Sequence, residues 1–87
     1  MTIKAPHPTV KTADMFLSAY LMVENIPIIE TGIERREKEK VIFAFPKDKV
    51  GMRLIDHFRL GTAKVNVQAL KCQYQNVQEM RHETQRN

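Results

Sequence analysis

Apolar positions fall along the chain in three runs of helical spacing, with a stretch of strict alternation between the first and the second. From Thr12 to Glu24 they crowd together. Phe16, Tyr20 and Val23 share one stripe, Met15, Ala19 and Met22 the next, and Leu17 and Leu21 widen the arc. The spacing predicts a helix with Thr12 as N-cap and Asp14 in its first turn, where the helix dipole favours an anion. So broad an apolar arc belongs to a central helix. Pro27 is the expected stop, because proline disfavours helical geometry at Ile26 and has no amide to donate.

From Ile28 the period changes to two. Ile29, Thr31, Ile33 and Arg35 alternate with Ile28, Glu30, Gly32 and Glu34, and a second strand follows in Val41 to Phe45. The two runs predict a β-hairpin. Its connection, Arg36 to Lys40, has neither Gly nor Asn, so a loop of about three to five residues is expected instead of a two-residue primed turn. Parity turns the odd-numbered residues to the core, since a slip of one residue would carry Phe43 and Phe45 into solvent. The expected register sets Ile33 opposite Phe43, Arg35 opposite Val41 and Thr31 opposite Phe45. The even-numbered side carries Ile28, Gly32, Ile42 and Ala44, a small semi-apolar surface.

Pro46 closes the second strand. Asp48 is expected to cap a second helix, buried through Val50, Leu54, Ile55 and Phe58, with Gly61 as its C-terminal stop. Thr62 to Val65 reads as an extended connection able to pair as a third strand with the hairpin edge. Asn66 caps a last helix in which Val67, Leu70, Tyr74 and Val77 recur at three- and four-residue steps, and Arg81 begins a polar tail expected to fray by Thr84. The prediction is an α+β fold in the order helix, β-hairpin, helix, helix, with the helices packed on one face of a small antiparallel sheet. Residues 1–10 are expected to be a flexible leader, 11–82 a single domain and 83–87 a frayed tail.

Composition narrows the chemistry. At 43% hydrophobic residues the 87-residue chain can fold, but its core is thin. Cys72 is the one cysteine, so no internal disulfide and no thiolate cluster can form, which suits a reducing, cytoplasmic setting. The longest apolar stretch, Met15 to Val23, is far shorter than the roughly 20 residues of a membrane-spanning helix, and no membrane role is expected. His7, His57 and His82 are too far apart in sequence to suggest a metal site. Asp56 and His57 are helix neighbours and point away from each other, and Cys72 lies between Lys71 and Gln73 with no base. Glycine-rich phosphate loops and nucleophile elbows are absent. Neither an enzyme nor a cofactor is expected.

Charge supplies the remaining signal. Fourteen Lys and Arg against ten Asp and Glu leave the chain at +4. Arg35, Arg36, Lys38, Lys40, Lys47, Lys49, Arg53 and Arg59 all lie around the hairpin and second helix. Gathered on one side, they would hold DNA or RNA through phosphates without reading sequence. The alternative is a solvated face of mixed charge on a module that binds itself or another protein through Ile28, Gly32, Ile42 and Ala44. Gly32, in mid-strand, marks either a bulge or the close approach of another backbone.

One larger pattern runs from about Lys11 to Val77. Thr12, Asp14, Ala19 and Leu21 in the first helix, the isoleucine-rich strand, Val41 to Phe45, Phe58 with Gly61, then Ala63, Val65 and the run Ala69, Leu70, Lys71 form one layout. It resembles a family of short bacterial and phage proteins described only as a domain of unknown function. Membership implies a prokaryotic or viral source and a mobile-element setting, and supplies no catalytic residue. The chain departs from the usual layout in its longer charged hairpin and polar third helix.

Overall fold

Capping residues delimit the elements. Asp14 Oδ1 accepts the Leu17 amide at 3.0 Å, and Asp48 Oδ1 accepts that of Gly51 at 2.7 Å, which satisfies amides the first helical turns leave free. The computed structural model describes residues 8–86. Its order is β1 (Thr9–Thr12), α1 (Met15–Val23), β2 (Glu30–Glu34), β3 (Lys40–Pro46), α2 (Lys49–Leu60) and α3 (Val67–Arg86). This is the expected α+β fold, preceded by one extra strand. Positions 1–7 of the expected leader lie outside the described residues. Thr9 and Val10 belong to β1, and Thr12, expected to cap α1, ends that strand and accepts the Asp14 amide at 3.0 Å.

The sheet is antiparallel in the order β1-β3-β2, so β3 is central. β1 occupies the side of β3 that β2 leaves open, and Thr62 to Val65, expected as a third strand, form none. Between β2 and β3, Thr31 opposes Phe43, Ile33 opposes Val41 and Glu34 opposes Lys40. The register therefore differs by two residues from the expected one, with the faces unchanged. It closes the hairpin on an opposite-charge pair, which is favourable across strands.

The helices pack on the odd-numbered face of β2 and β3. Leu17, Tyr20 and Leu21 from α1, Ile55 from α2 and Val77 from α3 meet Val41, Phe43 and Phe45 there. α2 enters the core differently from its apolar pattern. Val50 is 61% exposed and Gly51 is buried in its place. A Cβ on Gly51 would lie 3.2 Å from Asp48 Oδ1 and 3.6 Å from the Pro46 carbonyl, so the missing side chain lets this turn sit close to the end of β3. Val67 is likewise exposed. The segment 83–86, expected to fray, continues α3: the Thr84 hydroxyl is hydrogen-bonded to the Thr31 hydroxyl at 2.9 Å and to the Met80 carbonyl at 2.8 Å.

α1 stops before Pro27 can act. Asn25 takes a left-handed φ of 68°, its amide bonds the Met22 carbonyl at 3.0 Å, and the Ile26 amide bonds that of Leu21 at 2.9 Å. These two bonds define a Schellman ending with Asn in the usual glycine position. Asn25→Ala is expected to cost about 1 kcal/mol, because alanine tolerates the left-handed region less well than asparagine, while Asn25→Gly should be neutral or stabilising. Urea midpoints of the two variants, moving apart in that order, check the assignment.

Candidate functional site

Alternation along β3 sends Phe43 and Phe45 inward and leaves Ile42 and Ala44 on the opposite side, where no helix lies. This outer face is built row by row from the register. Lys11 and Glu30 flank Ala44, Gly32 pairs with Ile42, and Glu34 pairs with Lys40. Ala44 is only 3% exposed, lying in the trough between its longer neighbours. A Cβ built on Gly32 would meet nothing within 4 Å, and Gly32 has no positive φ, so the chain's own fold does not demand a glycine here.

Ile28 does not belong to this face. The Ile29 amide donates to the Ala44 carbonyl at 2.8 Å while Glu30 is the residue paired with Ala44, so two successive residues address one. That is a β-bulge, and it reverses parity. Ile28 turns to the core and Ile29 is left 52% exposed on the outer side. The expected interface of Ile28, Gly32, Ile42 and Ala44 is corrected to the last three, joined by Lys11 and Glu30. Lys11 escapes the hairpin pattern because β1 straddles the end of the expected leader, whereas Glu30 already stands on the even-numbered side of the first hairpin strand.

The eight cations fall into separate groups along the fold. Lys40 and Lys47 stand at opposite ends of β3, about 23 Å apart at roughly 3.3 Å per residue. At one end Arg35, Arg36, Lys38 and Lys40 share the hairpin tip with Glu34, Glu37 and Glu39, and Arg35 pairs with Glu39 at 3.3 Å and Arg36 with Glu34 at 3.6 Å. At the other, Lys47, Lys49 and Arg53 border a shallow cleft that also includes Asp48 and Asp56. Arg59 lies in the last turn of α2, about 120° around the helix from Arg53. Each cluster is interleaved with carboxylates.

No family model, curated protein or solved structure matches the chain in comparisons with known proteins. His57 Nδ1 is hydrogen-bonded to the Thr62 hydroxyl at 2.9 Å, tying the end of α2 to the following turn, and Cys72 is exposed on α3. Burial pushes the Tyr20 phenol above its ordinary value, with Glu24 adding to the effect, so it stays a neutral core group. Among the described residues no three His, Cys, Asp or Glu side chains come together to hold a metal, and no helix is long and apolar enough to cross a membrane. His7 lies outside the described residues. A groove lined by Phe16, Tyr20, Phe58, Val65 and Leu70 separates the helices, and its one charged residue, Asp14, caps α1 through the Leu17 amide.

Proposed function

We propose that the protein is a non-catalytic interaction module whose working surface is the outer face of its sheet. The observation that carries this reading is Gly32: a glycine midway along edge strand β2 on an uncovered sheet face, with open space where its side chain would be and no backbone strain to relieve. Such a position costs strand stability and is accounted for when something outside the chain must come close. Ile42 offers apolar contact, and Lys11 and Glu30 offer charges with no ion-pair partner among the described residues. Nucleic-acid binding is the less favoured reading, because phosphates are drawn to cations free of competing carboxylates and here each group of cations is mixed with Asp or Glu. Bacterial or phage origin remains what the resemblance implies, and it is compatible with either reading.

The test is an aliphatic diazirine residue in place of Ile42, which keeps an apolar side chain of similar size on the face and leaves the space over Gly32 open, in the cells that naturally make the protein. A discrete protein adduct is expected from position 42 and none from the same residue at Glu37 on the hairpin tip. Absence of an adduct at 42 would refute the surface assignment. A parallel salt series with generic DNA and RNA should show no binding at moderate salt; tight binding that weakens steeply with added salt would favour the nucleic-acid reading instead.

A further inference from the structure

We propose that the occupant of the outer face is a second copy of the same chain, stacked face to face about a two-fold axis that runs along β3. This rests on the reading of that face as the working surface and adds the identity of its partner.

The outer face is self-complementary in charge. Lys11 on β1 and Glu30 on β2 lie in one row on either side of Ala44, so they sit at equal distances from β3 on opposite sides. A two-fold axis parallel to β3 in the plane between the copies exchanges left and right while keeping each row in place. Lys11 then faces Glu30 of the other copy, and Glu30 faces its Lys11, which closes two ion pairs by symmetry. Along the axis Ile42 meets Ile42, and the recessed Ala44 lies over its counterpart. Gly32 falls opposite the β1 column just beyond Thr12, where its missing side chain lets the two sheets approach. At the end of the face Lys40 comes opposite Lys40, with Glu34 of each copy beside the pair to offset their repulsion.

The same residues argue against pairing edge to edge. Joining two β2 strands antiparallel with Gly32 at the centre would set Glu30 directly against Glu34 in both directions, a like-charge opposition that disfavours this register. The face is small. Three strands about 4.8 Å apart and five residues of about 3.3 Å give roughly 250 Å² per copy, well under the ~800 Å² of a standard interface, so the pairing is weak and requires concentrated protein.

The experiment uses sedimentation velocity up to about 1 mM, where the parent chain should show concentration-dependent association. Lys11→Glu alone and Glu30→Lys alone should each associate at least several-fold more weakly, because each places like charges across the interface. An equimolar mixture of the two should associate as well as the parent. In the mixed pair the first variant presents two carboxylates in that row and the second presents two ammonium groups, a match that no effect within one chain can reproduce. Lys38→Glu and Glu37→Lys, carrying the same charge changes at the hairpin tip, should neither weaken association alone nor strengthen it on mixing. A strict monomer at the highest concentration overturns the proposal while leaving the crosslinking test of the face intact. So does a mixture that associates no better than its components, or a hairpin-tip pair that behaves like the face pair.

Discussion

Phe43→Ala is expected to remove about 3–5 kcal/mol of stability, against a total of roughly 4–13 kcal/mol for a domain of this size, and so to leave much of the protein unfolded at 37 °C. Phe43 has no exposed surface, sits on the central strand, and meets helices from above and β1 and β2 on either side. Nothing nearby is free to collapse into the space, because every neighbour is held by the sheet ladder or by a helix packed on it. Phe43→Leu, which keeps most of the volume, should unfold cooperatively at a modestly lower urea midpoint. Equal losses for the two variants would mean that the centre of the core lies elsewhere.

The second large effect concerns α3. Of its 20 residues Val77 alone is fully buried, with Leu70, Tyr74 and Met80 partly covered along the same line. Val77→Asp would place an unpaired carboxylate in this seam and should cost at least about 3 kcal/mol. A helix with so little apolar surface is not expected to persist once undocked, so much of the far-UV helical signal should go with it. Val77→Thr keeps the shape and adds one hydroxyl, and should cost roughly 1–3 kcal/mol. If Val77→Asp unfolded at the parent's midpoint, the packing of α3 on α1 would contribute little to the fold.

Features set by local chemistry were legible in the sequence. Asp48 and Gly61 act at the two ends of α2 as their types predict, Gly61 with a left-handed φ of 77°. The inward direction of Phe43 and Phe45 follows from parity alone. Parity cannot say which odd residue opposes which, and the register therefore differs by two: the decisive pair, Glu34 with Lys40, lies in a charged run where many pairings look alike. β1 was hidden for another reason. Four residues preceded by proline carry too short an alternation to announce a strand, and Thr9–Thr12 are held there by the free side of β3, a partner more than thirty positions away. The Asn25 ending was obscured by Pro27, a stronger and nearby stop signal that the chain reaches only after the helix has closed.

These differences bear on the candidate surface. Gly32, Ile42 and Ala44 could be placed on one face by alternation, and that placement holds. Ile28 could not be separated from it, because a bulge is a property of two strands together. The charged flanks were out of reach until β1 was known to lie beside β3, since only then do Lys11 and Glu30 fall in one row.

The bulge at Ile29 and Glu30 also bears on how the molecule keeps company with its own kind. A straight outer strand can serve as a template onto which further chains add without limit, whereas a kinked and negatively charged one resists such growth. With β2 guarded in this way and the other outer strand, β1, only four residues long and carrying Lys11, contact through the flat side ends at two molecules, and crowding should yield closed pairs instead of fibres.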